Sequence, residues 1–187
     1  MAQLMKDTYM EQIAGELQRT LQLIPEDHVK QLADKLLQAE RVFVAGSGRS
    51  GLMMRAFAMR LMHLGLTVYV VGETVTPGIA AEDLLVIGSG SGETKSLASM
   101  AGKAKNVGAD IALVTIVPES TIGQLAHVVV PVPAATKDSN DERSSVQPMG
   151  SLFEQSLLLI LDAIILRIMA ATKLDGPAMF GRHANLE

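Results

Sequence analysis

The chain has 187 residues with a formal net charge of −4, and 48% of its residues are apolar but only 3% aromatic. This length favours one domain with its own hydrophobic core, and a dispersed, slightly acidic charge with few aromatic side chains argues against a nucleic-acid partner. The absence of cysteine excludes disulfides and thiolate metal sites, and the first residues lack the basic and apolar layout of a signal peptide, so we expect a cytoplasmic protein.

Two amphipathic segments open the chain and predict helices over residues 2–23 and 26–39, with Pro25 in the first turn of the second. Short apolar runs then alternate with helical patterns, which predict further helices at 51–64 and 95–107 and a short helical piece after the sequence PES. The apolar runs predict five strands, RVFVAG (41–46), TVYVVG (67–72), DLLVIGS (83–89), DIALVTI (110–116) and HVVVPV (127–132).

The longest apolar run covers residues 157–171 and is interrupted by Asp162 and Arg167. It is shorter than the roughly 20 apolar residues that a membrane span needs, so we predict a buried helix and no membrane partner. A helix that is apolar nearly all round has too little core to cover it in a domain of this size. We therefore expect part of it to pack against another subunit of a homo-oligomer.

Apolar strands that alternate with helices predict an α/β fold, here a three-layer α-β-α sandwich around a five-stranded parallel sheet of flavodoxin-like or Rossmann-like type. Right-handed crossovers bring the carboxyl ends of all the strands to one edge, where we expect the functional loops. The polar stretch at 133–147 predicts an irregular loop between the last strand and the buried helix, and it is a candidate flap over a site.

The first predicted strand ends in GSGRSG, which fits the dinucleotide fingerprint with Gly46, Gly48 and Gly51. Glu73 follows at a plausible distance for a ribose contact, so a dinucleotide-binding oxidoreductase is one hypothesis. A second glycine-rich loop two strands later has no role in such an enzyme. The chain after the fifth strand also has no room for a catalytic domain.

The third predicted strand ends in GSGSGETKS, which is not a P-loop because Thr94, rather than glycine, precedes Lys95. Its glycines allow backbone N–H groups to approach an anion, at a helix N-terminus whose dipole favours negative charge. The hydroxyls of Ser89, Ser91 and Thr94 can donate further hydrogen bonds, so the loop predicts a site for a phosphate monoester. The alternative is that these hydroxyls only cap the helix.

The pair GSGRSG and SGSGET resembles the two signatures of the sugar isomerase (SIS) domain family. The likeness extends over residues 30–187 and includes QPMGSLFEQ and the terminal HANLE, which are similar to one isomerase branch of the family. The resemblance implies a single SIS domain over 1–187, with N-terminal helices at 1–39. It also implies a tetramer in which the C-terminal tail, 174–187, reaches a neighbouring subunit.

The same resemblance implies a phosphosugar substrate and no cofactor. The enzyme would interconvert D-arabino-hex-3-ulose 6-phosphate and fructose 6-phosphate, in the ribulose monophosphate pathway of formaldehyde assimilation, and would be linked in function to hexulose-6-phosphate synthase. The residues that bind the substrate and its phosphate would be Ser47, Gly48, Ser50, Ser89, Ser91 and Thr94. A non-catalytic sugar-phosphate sensor is a second hypothesis, against which stand the lack of an appended DNA-binding helix pair and the presence of Glu154.

Moving a carbonyl group from C3 to C2 requires a base that removes a proton from one carbon and returns it to the next. By resemblance to the catalytic carboxylate of the family, Glu154 is the candidate base. The alternative is a capping box, Ser151-x-x-Glu154, in which the carboxylate turns back onto the helix N-terminus. Arg49, between the loop glycines, can supply the positive charge that a developing enediolate needs.

His183, in the tail, can donate or accept a proton near neutral pH, although a solvated surface role is the alternative. His63 lies at the end of a predicted helix, where a structural and a catalytic role are equally open. Glu73 is predicted at the functional edge of the sheet, where it could touch sugar hydroxyls, whereas Glu93 is expected to face the helix dipole. No cluster of His, Asp or Glu has ligand spacing, so no metal is predicted.

Overall fold

In the computed structural model, which describes residues 8–134 and 145–186, the predicted strands form one parallel five-stranded sheet. The strands are β1 (Val42–Gly46), β2 (Val68–Val70), β3 (Leu84–Gly88), β4 (Asp110–Thr115) and β5 (Val128–Pro131). The helices are α1 (Tyr9–Gln22), α2 (Glu26–Gln38), α3 (Gly48–Leu64), α4 (Lys95–Val107), α5 (Ser151–Thr172) and α6 (Gly176–Phe180). The predicted fold class is confirmed.

The order of the strands in the sheet is β2-β1-β3-β4-β5. The chain moves outward from β1 to β2 and then crosses back to β3, so the direction of winding reverses between β1 and β3. Such a reversal leaves a crevice outside the carboxyl ends of the two strands, where α/β proteins bind their ligands. Gly46 and Gly88 are register partners at this point, and the two glycine-rich turns leave the sheet there together.

Successive residues of each strand face opposite layers, because side chains alternate along a strand. In β1, Val42 and Val44 join a core cluster with α2, α3 and α5, while Phe43 and Ala45 join a second cluster with α4. Helix α1 packs on α5, outside the first cluster. The two clusters explain why the central strands are apolar on both faces.

Helix α5 begins at Ser151, earlier than the predicted range of 157–171. Its inner face is buried in the first core cluster, but Leu159 and Leu166 are exposed by 39% and 65%. The helix is therefore buried on one side only within a single chain. No helix in the described part of the chain is long and apolar enough to cross a membrane.

Other predicted boundaries shift by a few residues. Helix α3 begins at Gly48 instead of residue 51, and Pro25 is the N-cap of α2 instead of a residue of its first turn. Helix α1 begins at Tyr9 after a capping box, in which Thr8 and Glu11 bond each other's backbone amides. Residues 1–7, where the predicted first helix was to begin, lie outside the described residues.

Two further predictions concern the segments on either side of α5. Most of the predicted loop at 133–147 lies outside the described residues, because the description stops at residue 134 and resumes at 145. The tail was expected to reach a neighbouring subunit, and it contains a short helix, α6, that the sequence analysis missed. Asp175 caps this helix by accepting a hydrogen bond from the backbone N–H of Ala178 at 2.9 Å.

Candidate active site

The turn between β1 and α3 contains two glycines that the packing requires. A Cβ atom on Gly46 would lie 2.9 Å from the Cα atom of Gly51, and one on Gly51 would lie 2.7 Å from the carbonyl oxygen of Gly46. Both separations are too short for real contacts, so neither position accepts a side chain without a shift. The close approach of strand and helix explains these two glycines of the fingerprint without a bound dinucleotide.

The turn after β3 is tied to the segment that follows β4. The carboxylate of Glu93 accepts hydrogen bonds from the backbone N–H of Thr121 at 2.6 Å and from its hydroxyl at 2.7 Å, and these bonds lower the pKa of Glu93. The carbonyl of Gly90 accepts from the backbone N–H of Ile116 at 3.0 Å. The carboxylate of Glu93 therefore holds the loop to the neighbouring segment, a role that the sequence analysis did not predict.

The hydroxyl groups of this second turn do not cap helix α4. Thr94 is the N-cap residue, but its side chain makes no capping hydrogen bond. Ser89 accepts a hydrogen bond from the backbone N–H of Gly92, and Ser91 accepts one from that of Glu93, both at 3.2 Å. A hydroxyl that accepts still has its own O–H to donate. The capping alternative is thus wrong for this turn, and the hydroxyls remain available to an anion.

Glycine is required at position 92. The backbone φ angle of Gly92 is +64°, and a Cβ atom there would lie 1.9 Å from the hydroxyl oxygen of Ser120. Any other residue would face both an unfavourable backbone conformation and a collision with this serine. The path of the loop therefore depends on glycine at this position.

The two turns and the start of α5 enclose a cavity of about 260 Å³. Six of the residues predicted as catalytic or ligand-binding line it: Ser47, Ser50, Ser89, Ser91, Thr94 and Glu154. The hydroxyl groups come from the turns after β1 and β3, and the carboxylate comes from the first turn of α5. Residues from three separate parts of the sequence thus meet in one cavity.

The capping-box alternative for Glu154 is wrong. Gly150 is the N-cap of α5 and Ser151 is already helical, so the spacing from Ser151 to Glu154 does not match the N-cap and third position that the motif needs. No side chain caps this helix. The side chain of Glu154 is free to point into the cavity, where it is only 6% exposed.

Arg49 and Glu154 form an ion pair at the cavity. The Nε atom of Arg49 lies 2.7 Å from the Oε2 atom of Glu154. The contact does not have the alignment of a hydrogen bond, and among the described residues Oε2 has no hydrogen-bond donor. A buried carboxylate oxygen with a nearby positive charge and no aligned donor is available to accept a proton from a bound molecule.

One wall of the cavity is apolar and was missed by the sequence analysis. It is formed by Leu97, Ile116 and Phe153, and Gly88, Gly90 and Gly150 complete the lining. Ile116 could have been found, because it directly follows β4 at the same edge of the sheet. An apolar wall excludes water and strengthens the electrostatic interactions at the polar wall.

Three predicted residues of the loops do not line the cavity, namely Gly48, Arg49 and Glu73. Gly48 begins α3 beside Ser47 with a φ angle of +56°. Glu73, on the turn after β2, accepts a hydrogen bond from Arg55 at 2.5 Å and is about half exposed. The expected contact of Glu73 with a sugar is not supported by its position in a single chain.

The two histidines lie together, far from the cavity of their own chain. The rings of His63 and His183 stack with centroids 5.4 Å apart, and Arg182 donates a hydrogen bond to the carbonyl of His63 at 3.1 Å. His63 lies at the opposite end of α3 from Gly48, which is about 22 Å away at 1.5 Å per residue. Burial, the charge of Arg60 and the nearby His183 lower the pKa of His63.

The cavity therefore combines an anion site with a candidate base. Backbone N–H groups and hydroxyls at the N-terminus of α4 favour a phosphate group. Glu154 lines the remainder of the cavity as a candidate proton acceptor, and its ion pair with Arg49 places a positive charge beside it. Within residues 8–134 and 145–186, no group of three or more His, Asp or Glu side chains is placed to hold a metal ion.

The sequence matches a known domain family and is similar to named isomerases. Residues 35–159 match the family model described as SIS domain. The chain is 50% identical to 3-hexulose-6-phosphate isomerase of Bacillus subtilis (strain 168) over 185 residues, which cover 98% of this chain and 100% of the relative. It is 45% identical to 3-hexulose-6-phosphate isomerase of Mycobacterium gastri, with 94% of this chain and 88% of the relative covered.

A solved crystal structure is also similar to this chain. The crystal structure of a hypothetical protein from Methanococcus jannaschii, for which a molecular function of 3-hexulose-6-phosphate isomerase was inferred, superposes with a TM-score of 0.83. The two sequences are 34% identical, and the match covers 95% of this chain and 98% of the other. The family predicted from the paired glycine-rich signatures is confirmed.

Proposed function

This chain belongs to the SIS domain family, and from that premise we propose that it interconverts D-arabino-hex-3-ulose 6-phosphate and fructose 6-phosphate. The observation that carries the proposal is the shared cavity, in which the hydroxyl-lined turn after β3 and the buried carboxylate of Glu154, ion-paired with Arg49, lie together. The names of the full-length relatives from Bacillus subtilis and Mycobacterium gastri support the choice of substrate.

The phosphate group binds at the turn after β3. Ser89, Ser91 and Thr94 donate hydrogen bonds to it, and the dipole of α4 favours its charge. Ser47 and Ser50 approach from the turn after β1. Because these contacts involve only the C6 phosphate end of the sugar, they hold the substrate without taking part in the chemistry at C2 and C3.

Glu154 acts as the base. In the forward direction it removes the proton from C2 of the 3-ketose, and the electrons form a C2–C3 enediolate with the negative charge on O3. A proton passes from O2 to O3, and the same carboxyl group returns the first proton to C3 as the C2 carbonyl forms. Arg49 stabilises the negative charge that develops on the oxygen atoms of the enediolate. One carboxylate on one face of the enediol is sufficient for both transfers, and no redox cofactor is required.

The structure of the substrate simplifies the forward reaction. A 3-ketose with its phosphate on O6 cannot close a five-membered ring, since O6 is the atom that would close it, so the substrate is open-chain. Fructose 6-phosphate cyclises through O5, and the reverse reaction therefore needs ring opening. His63 and His183 are the proposed candidates for the acid and base of that step.

We also propose that the active site is completed across a subunit interface in a homo-oligomer, with a tetramer as the expected state. His63 and His183 lie far from the cavity of their own chain, so the exposed His183 would act at the site of a neighbour, with the buried His63 stacked against it. Exposed apolar side chains on α3 and α5 support such an interface, namely Leu52, Met59, Leu159 and Leu166.

The proposed setting is the cytoplasm, in the ribulose monophosphate pathway of formaldehyde assimilation. A charged phosphate ester does not cross a membrane unaided, so its substrate must be made in the same compartment. The 3-ketose phosphate is the product expected of hexulose-6-phosphate synthase, and this functional link completes the proposal.

Measuring the reaction in both directions tests the proposed function. The purified protein is incubated separately with fructose 6-phosphate and with the 3-ketose 6-phosphate, and both mixtures are followed to equilibrium. The proposal expects the same ratio of the two ketoses from either starting point. Binding of the sugar phosphate without any conversion would contradict it and would favour a sugar-phosphate sensor.

A further inference from the structure

Glu16 is a carboxylate on the buried side of helix α1. Glu16 is only 9% exposed, and charged side chains are almost never this buried without a partner. Its neighbour one turn later, Thr20, is also buried, which places both on the side of α1 that packs against the rest of the chain. A buried charge needs a specific reason, and the mechanism above does not supply one.

Three hydrogen bonds satisfy Glu16, and all come from one short segment. Its Oε2 atom accepts from the hydroxyl of Ser145 at 2.6 Å and from the side-chain amide of Gln147 at 3.0 Å. Its Oε1 atom accepts from the backbone N–H of Val146 at 2.7 Å. Burial would raise the pKa of Glu16, but these bonds and the charge of Arg19 together hold it below its usual value.

The segment held by Glu16 leads directly to the candidate active site. Gln147 is itself buried, and three residues later Gly150 lines the cavity and caps α5. Between them, Met149 has a φ angle of +59°, a left-handed conformation that is costly for a residue with a Cβ atom. Such a conformation persists only where the chain on both sides is held in place. Helix α5 holds one side, and Glu16 holds the other.

We propose that Glu16 is a positioning residue for Glu154, which it places in the cavity by fixing the segment Ser145–Gln147 and hence the turn that starts α5. This inference rests on the proposed function, because it assigns a role relative to the base of that reaction. The phosphate site lies on the turns after β1 and β3, which this contact does not touch. Loss of Glu16 therefore affects turnover more than substrate binding.

The test compares Glu16→Ala with Glu11→Ala, a matched change on the same helix. Glu11 forms the capping box of α1 with Thr8, so its loss weakens the helix without touching residues 145–147. For Glu16→Ala we expect a kcat about 10- to 100-fold lower with KM within about threefold of the wild type, since small displacements of a reacting group have effects of this size. For Glu11→Ala we expect both constants near the wild-type values.

Amide hydrogen exchange over residues 146–154 supplies a readout that does not depend on the reaction. Glu16→Ala should exchange faster there than the wild type, and Glu11→Ala should not. A folded Glu16→Ala enzyme with unchanged kcat, unchanged exchange, or a loss of kcat matched by Glu11→Ala would overturn the inference. If Glu16→Ala does not fold, Glu16→Gln replaces it, and an intermediate loss of kcat with KM unchanged is expected because one acceptor oxygen remains.

Failure of the proposed function gives a different pattern. In that case the wild-type protein does not interconvert the two ketose phosphates, while Glu16→Ala still shows faster exchange over residues 146–154. Faster exchange then upholds the positioning of the turn, and unchanged exchange overturns it.

Discussion

Arg49 and Glu154 form an ion pair, although they lie more than a hundred residues apart in the sequence. The guanidinium Nε atom is 2.7 Å from Oε2, with the arginine side chain 60% exposed and the carboxylate almost fully buried. The arginine can therefore move toward a bound sugar while the carboxylate stays fixed on α5. This asymmetry suits a mechanism in which the base is held rigidly and the positive charge follows the developing enediolate.

Replacement of the proposed base should separate chemistry from folding. We expect Glu154→Gln to keep near-wild-type stability and to lose turnover by at least about 100-fold, the lower end of what general base catalysis supplies. Steady-state kinetics and a thermal melt measure the two properties. Glu82→Gln, an exposed change at the opposite end of the sheet, is the control. Turnover retained in Glu154→Gln would refute its assignment as the base.

The phosphate site predicts a change in KM. Ser91→Ala removes one hydrogen bond to a charged group, which is worth about 1.5–3 kcal/mol, so we expect KM to rise by about 10- to 160-fold with a smaller effect on kcat. Ser99→Ala, an exposed serine on the middle of α4, should leave both constants unchanged. An unchanged KM in Ser91→Ala would show that its hydroxyl does not bind the phosphate.

A site shared between subunits can be tested by mixing two inactive chains. Glu154→Gln and His183→Ala should each have low turnover from cyclic fructose 6-phosphate. When the two are co-expressed, some sites receive an intact Glu154 from one chain and an intact His183 from its neighbour. We therefore expect activity to reappear in the mixed oligomer. Mixed oligomers no more active than their parents would contradict a shared site, and so would full turnover after truncation at Leu174.

The buried His63 predicts a pH dependence of stability. Its folded-state pKa is lowered, mainly by burial, so the unfolded chain binds the proton more readily. The contribution of His63 to stability is therefore present above its unfolded pKa, about 6.5, and is lost as the pH falls through that value toward the folded pKa. We expect His63→Gln to flatten the decline of the urea midpoint below pH 6.5. Parallel pH profiles for the two proteins would contradict this.

The sheet and the location of the site could be predicted because both depend on local patterns. Short apolar runs between helical segments predict a parallel sheet, and a parallel sheet places all strand ends at one edge. Ser89 and Ser91 were found in this way. The resemblance to the SIS family then supplied Glu154, which no periodicity would have singled out.

Other features of the site depend on contacts and turn geometry that sequence spacing does not show. Ser151 fits a capping box by spacing, but the left-handed turn at Met149 starts the helix so that Gly150 becomes the N-cap. Glu93 was expected to face a helix dipole, and its hydrogen bonds to Thr121, 28 positions later, could not be predicted. Glu16 could not be recognised, because its partners are more than 120 positions away in the sequence.

The most direct test of the proposed reaction is proton NMR of fructose 6-phosphate with the purified protein in heavy water. An enediol that spans C2 and C3 predicts deuterium at C3 of fructose 6-phosphate, together with formation of a 3-ketose phosphate. Glu154→Gln should produce neither. Deuterium at C1 would contradict the account, since it would mean an enediol between C1 and C2 and an isomerase of the aldose 6-phosphate type.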